Sequence, residues 1–360
     1  MACAYPFEWP KYPPQVLRIP LRVAEVPSAG AANTPSSGRS TVCRSCPYPF
    51  EWSKGRGTPF VCSLPMHELF HTLPDGRRLC YARFGDPAAV PVLYFHGTPS
   101  SRLEPLLLEG FGYRLDALLA EAGLQLISID RPGMGGSGYR PGERYRSFAH
   151  DAEHLCAALG LPPLPVLCWS GGGPYALAMA AAFPERIGSV HIVCGFTRPF
   201  DKEILQQMGS NKWYFRAARY APFLLAPALR AVRRHGPKRL PPQGISGLPW
   251  EDYHLLDRPG ALGQMARCSV REAARGGALG PIMEARAYYA HFPYRLAAIA
   301  QPVHYWWGTR DMSVARAHAE AVEQYAPRAT MHYRPGEGHL SVYVHCIKEI
   351  LQVVRSGQGA

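Results

Sequence analysis

The chain has 360 residues, with 39 Lys and Arg against 27 Asp and Glu for a net charge of +12; 47% of residues are hydrophobic and 18% charged. That hydrophobic share supports a sizeable core and excludes wholesale disorder, while the length allows one large domain with an insertion or two modest domains. No apolar run approaches the roughly 20 residues of a membrane-spanning helix, and the basic excess comes with no base-stacking or groove-reading motif, so no nucleic-acid partner is expected.

Residues 1–65 are rich in Pro, Ser, Gly and Ala and show no sustained helical or strand period. The segment YPFEW occurs twice, at Tyr5–Trp9 and Tyr48–Trp52, each copy two residues after a cysteine. A disordered extension is expected here. An organellar transit peptide is the alternative, since Glu8 and Glu25 are the only acids in the first 50 residues. Cys43 and Cys46 form a C-x2-C pair ahead of Cys62, His67 and His71, but no zinc site is expected. The two histidines fall on HELFHTLPDGRRLCYARFG (67–85), which reads as two strands joined at Pro74-Asp75-Gly76. Several of the ten cysteines lie in apolar runs and read as buried free thiols. With no secretory signal in the sequence given, a reducing, cytoplasmic setting is expected.

From about residue 66 strands and helices alternate. Strands are expected at 90–97, 124–130, 164–170, 189–195, 302–308 and 330–336, with helices at 103–122, 146–160, 173–185, 314–326 and about 340–354. Apolar strands separated by amphipathic helices indicate a mostly parallel, doubly wound α/β sheet, with ligand sites at the carboxyl ends of the strands. Residues 196–300 are too long for a connecting loop and read as a helical cap inserted over the strand ends. This divides the chain into an extension (1–65), a first core part (66–195), the cap (196–300) and a second core part (301–360). Between Ile204 and Trp250 the cap has eight basic residues and no acid. Two readings follow: a surface for anionic lipid or acidic substrate, or a cap whose apolar face lines the pocket while Arg and Lys face water. The second is favoured.

Ser170 lies where the strand 164–170 runs into a helix, in Cys168-Trp-Ser170-Gly-Gly172. A sharp turn there lifts the hydroxyl clear of the sheet and demands small residues two positions either side, here Cys168 and Gly172. A serine hydroxyl is a weak nucleophile and requires a base held by a third group. His339 and Asp311 follow the last two strands, so all three fall at carboxyl ends of strands in the order Ser, Asp, His. Asp201 is the less favoured acid, because it reads as the start of the cap. After the first long strand, Gly97 permits a turn and Pro99 has no N–H to offer. Thr98 is therefore the expected oxyanion donor, together with Gly171. Asp130, in a glycine-rich loop, reads as structural.

The motifs HGTPSSR, DRPGMGGSG, CWSGGGPYALAMA, GTRD and GEGH, in this order, resemble the α/β-hydrolase superfamily, in particular its capped, cofactor-free, esterase-like members. The likeness spans roughly residues 68–355; Cys168 stands where the family has glycine. It implies an eight-stranded sheet with a lid after the sixth strand, and a serine hydrolase cleaving carboxylic esters of a small lipophilic substrate through an acyl-enzyme. No cofactor or metal is expected. A peptidase or lipid hydrolase using the same residues, or a binding protein on the same fold, are the alternatives, and protein partners are left open.

Overall fold

The computed structural model describes residues 67–357 apart from 143 and 238; the YPFEW copies and Cys43, Cys46 and Cys62 lie outside them. Eight strands form one sheet in the order β1-β2-β4-β3-β5-β6-β7-β8. They are β1 (Leu69–Thr72), β2 (Arg78–Phe84), β3 (Val90–Phe95), β4 (Leu124–Ile129), β5 (Leu164–Trp169), β6 (Ile187–Val193), β7 (Val303–Gly308) and β8 (Ala329–Arg334). β1 pairs β2 and β2 pairs β4 antiparallel, and every other pairing is parallel.

Burial along each strand reports its place. Every residue of β4 and β5 is buried, as central strands covered on both faces require, whereas β1 and β8 at the edges are only partly covered. Alternation of side chains then sends Val92, Tyr94, Leu167 and Trp169 into one core cluster. Leu93, Phe95, Val166 and Cys168 enter the other. The first cluster is completed by α1 (Leu115–Ala122) and α13 (Ile347–Ser356). The second is completed by α2 (Tyr145–Ala158), α3 (Gly173–Ala182) and α11 (Arg316–Tyr325).

Two expected helices are divided, and so is the run 213–234 within the insertion. The stretch 103–122 is a 3-10 turn over Glu104–Phe111 that stops at Gly112, whose φ of 91° is left-handed and costs glycine little. The C-terminal stretch is α12 (His339–His345) followed by α13. The stretch 213–234 divides at Ala221 because Pro222 opens a new helix and has no N–H with which to continue the old one.

Between β6 and β7 the chain is helical: α4 (Lys202–Gln207), α5 (Asn211–Tyr220), α6 (Pro222–His235), α7 (Gln243–Ser246), α8 (Trp250–Asp257), α9 (Ala261–Ala266), a π turn over Arg267–Arg271, and α10 (Leu279–Ala287). Ion pairs fasten this insertion to the sheet. Glu284 on α10 meets the Arg131 guanidinium, both side chains being buried. Arg102 pairs with Asp130 and with Glu272, each at 2.8 Å. No helix among the described residues is long and apolar enough to cross a membrane.

Removing one member of a buried pair strands the other without water, at a cost of about 3–5 kcal/mol. Arg131→Met, which leaves the Glu284 carboxylate uncompensated, is expected to lower the unfolding free energy by about that amount in urea denaturation.

Candidate active site

The turn from β5 into α3 holds Ser170 at φ 52°, a left-handed conformation rare for a residue with a side chain. Space explains the surrounding sequence. A Cβ at Gly172 would stand 2.3 Å from the Phe95 carbonyl oxygen and 2.9 Å from the Cys168 Cβ. A Cβ at Gly173 would meet the Phe196 oxygen at 2.3 Å. The chain therefore turns through three successive glycines, and Cys168 fits because its side chain points into the second core cluster and leaves the turn clear.

Gly97, at the end of β3, lies against Ser170: an added Cβ would be 3.3 Å from the serine Cβ. Its own N–H is taken by Glu104, which accepts it on both carboxylate oxygens at 2.8 and 2.9 Å. The Thr98 N–H has no protein acceptor among the described residues. Thr98 and Gly171 adjoin, since a Cβ on Gly171 would fall 2.2 Å from the Thr98 Oγ1. Arg131 donates to the His96 carbonyl, to the Gly97 carbonyl at 2.7 Å and to Thr98 Oγ1 at 3.1 Å. Thr98 Oγ1 in turn donates to Glu284 at 2.8 Å. The loop 96–98 is thus held by charged groups from outside its own strand.

His339 opens α12 and Asp311 follows β7. His339 Nδ1 lies 2.8 Å from Asp311 Oδ2. The other Asp311 oxygen accepts the amides of Ser313 (2.7 Å) and Val314 (2.8 Å), so the carboxylate is oriented as well as buried. Burial alone would lower the His339 pKa, but Asp311, with Asp252 and Glu104 behind it, outweighs this and raises it. Asp201 is elsewhere: it caps α4 by accepting the Ile204 N–H at 2.8 Å and pairs with Arg198.

Gly97, Thr98, Trp169, Ser170 and His339 line one cavity of about 270 Å³, with Leu248, Leu256, Met265 and Val270 of the insertion supplying apolar walls. The expected Ser170, Thr98 and His339 thus share a cavity, Asp311 joins them through His339, and Gly171 adjoins through Thr98. Asp130 accepts the amides of Arg102 (2.7 Å) and Gly136 (2.9 Å), a loop-locking arrangement.

Three carboxylates escaped the reading of the sequence. Glu104 is fully buried, and desolvation pushes its pKa up to about 7. Glu284 holds Arg131. Asp252, on α8, accepts the amides of His339 (2.8 Å), Leu340 (3.1 Å) and Ser341 (2.8 Å), capping α12 from the insertion. Gly338 makes room for it, since a Cβ there would meet Asp252 Oδ1 at 2.6 Å. The sequence carried one signal for Asp252: the acid-free run ends at Glu251 and Asp252.

Among the described residues Cys194, Asp311 and His339 form a group able to surround a metal ion, their ligand atoms within 4.8 Å of one another. Two of the three are already committed to each other, through the His339–Asp311 hydrogen bond, and burial pushes the Cys194 thiol well up.

A family model described as alpha/beta hydrolase fold matches residues 90–345. The chain is 25% identical over 275 residues to an uncharacterized hydrolase, YcgS, of Bacillus subtilis (strain 168), covering 74% of this chain and 89% of that protein. Among solved structures it is similar to a thermophilic esterase from Thermogutta terrifontis, malate bound, with a TM-score of 0.57 at 21% identity, covering 81% of this chain and 97% of that one. It is also similar to the enol-lactonase from Burkholderia xenovorans LB400, with a TM-score of 0.58 at 17% identity, covering 81% and 100%. At these identities the two solved structures share the fold with this chain.

The carboxylates around His339 act in a fixed order, Asp311 first and Asp252 next. In NMR titrations the wild-type His339 ring is expected to titrate above the ordinary 6.5. Asp252→Asn should move that midpoint down, and Asp311→Asn further down.

Proposed function

The chain belongs to the α/β-hydrolase fold family, and on that premise we propose that it hydrolyses carboxylic esters of small lipophilic molecules through a Ser170 acyl-enzyme. The observation that carries the reading is a serine held at φ 52° on a strand-to-helix turn, in one cavity with a histidine that is bonded to a buried aspartate.

In this reading Ser170 Oγ attacks the ester carbonyl carbon while His339 Nε2 takes its proton. Asp311 holds the Nδ1–H tautomer and stabilises the imidazolium. The carbonyl oxygen becomes an oxyanion at the Thr98 and Gly171 amides. Glu104 supports this assignment because it occupies the Gly97 amide and leaves Thr98 as the donor. His339 then protonates the departing alkoxide, and the alcohol leaves. Water, deprotonated by the same histidine, attacks the acyl carbon and releases the acid and Ser170.

The insertion acts in this reading as a cap. Its Leu248, Leu256, Met265 and Val270 favour an apolar acyl or alcohol group, and a cavity of about 270 Å³ favours short chains. Amine recognition has less support: Glu104 and Asp252, the carboxylates lining the cavity, both accept backbone amides.

Hydrolysis of p-nitrophenyl esters from acetate to palmitate tests the proposal. Turnover is expected to favour the short esters and to fall by on the order of 10³-fold or more in Ser170→Ala. A fluorophosphonate should label Ser170 in the wild type. Wild-type turnover in Ser170→Ala would overturn the reading. Because His339 must be neutral to act as base and its pKa is raised, kcat/KM should decline as pH falls, with the acid limb above 6.5.

A further inference from the structure

Helices α5 and α6 expose what a water-facing surface ordinarily covers. Within residues 213–224, Trp213 (61%), Tyr220 (69%), Phe223 (71%) and Leu224 (63%) are all exposed. Single exposed apolar residues need no explanation, but four large ones on one helical hairpin do. The favoured expectation that the apolar face of this segment lines the pocket fails at these positions: none of the four borders the Ser170 cavity. The inner faces of the two helices are already satisfied, through Phe215 and Ala218 in the core and Leu229 against Ala278 and Ile282.

The cations share the outer face. Trp213, Arg216 and Tyr220 recur at i, i+3 and i+7 on α5, with the Arg216 guanidinium 5.2 Å from the Trp213 ring centre. On α6, Phe223, Pro227, Arg230 and Arg234 recur at i, i+4, i+7 and i+11 and are all exposed. None of Lys212, Arg216, Arg219, Arg230 and Arg234 pairs with a carboxylate among the described residues. Lys202, Lys212, Arg216 and Arg219 also line a second cavity, of about 520 Å³, that shares no residue with the Ser170 cavity. Its one acid, Asp201, is occupied by the Ile204 amide and by Arg198.

Unpaired cations, aromatic side chains able to sit at headgroup depth and apolar tips beyond them together complement one surface, that of an anionic bilayer. We propose that the α5–α6 hairpin docks on anionic lipid. Phe223 and Leu224 enter the acyl region, Trp213 and Tyr220 lie at the headgroups, and Arg216, Arg219, Arg230 and Arg234 meet the lipid phosphates. Asn211, the first residue of α5, lines the Ser170 cavity, so docking brings that cavity within a helix length, about 15 Å, of the lipid.

The test is co-sedimentation of the full chain with vesicles of phosphatidylcholine, or of phosphatidylcholine mixed with phosphatidylglycerol. The wild type is expected to sediment with the mixed vesicles and not with the neutral ones, and to be released by salt. Phe223→Ser combined with Leu224→Ser, and separately Arg230→Glu combined with Arg234→Glu, should each reduce binding by about tenfold or more. Hydrolysis of a soluble p-nitrophenyl ester should be unchanged in both variants, which also shows that they fold. Equal sedimentation with both vesicles, or variants that bind like wild type, would overturn the proposal. So would a wild type left in the supernatant by both vesicles.

Discussion

A serine held in a left-handed conformation at the end of the central strand is the constraint on which the rest of the site depends. The strain of Ser170 persists only because its surroundings over-determine it. β5 is buried from end to end, α3 starts three residues later, and the space on either side is filled by backbone. The Phe95 carbonyl stands where a side chain at position 172 would go, and the Phe196 carbonyl where one at position 173 would go. Cys194, at the end of the next strand, is also left-handed, with φ 46°. Two adjacent strand ends are thus bent out of the sheet, one presenting Ser170 to the cavity and the other bringing the Cys194 thiol beside Asp311 and His339.

Charge in the site is managed by burial. Glu104, Arg131, Glu284 and the Asp311 side chain have almost no contact with water, so each is held by hydrogen bonds whose geometry is then fixed. Glu104 ties up Gly97, Arg131 holds the carbonyls of His96 and Gly97, and Glu284 neutralises Arg131 while accepting from Thr98. The result is a loop 96–98 whose amides and carbonyls are set before any ligand arrives. Preorganisation of this kind is what makes an amide dipole useful to a developing negative charge.

The helical insertion has two unlike faces, and each has its own chemistry. Toward the sheet it contributes Asp252 and Glu284, one capping the helix that begins at His339 and the other completing the Arg131 network. Its outer hairpin is acid-free and combines exposed aromatic residues with arginines that pair with no carboxylate among the described residues. The same polypeptide therefore helps to build the site and presents a surface to its surroundings.

The alternation of apolar strands and amphipathic helices determined the α/β sheet, because period and turn chemistry are local. The positions of Ser170, Asp311 and His339 were legible for the same reason: each follows a recognisable strand, and strand ends in a parallel sheet converge on one edge. The division of helices at Pro222 is local too, since a missing N–H ends a helix wherever it falls. Glu104, Asp252 and Glu284 were not legible. An acid on a helix looks the same in sequence whether it faces water or a buried amide, and its partners lie 7, 87 and 153 residues away in the chain. The direction of the apolar face of α5 and α6 was likewise undetermined. Helical periodicity tells which residues share a face, but only packing against α10 and the core decides which face is covered and which is left outside.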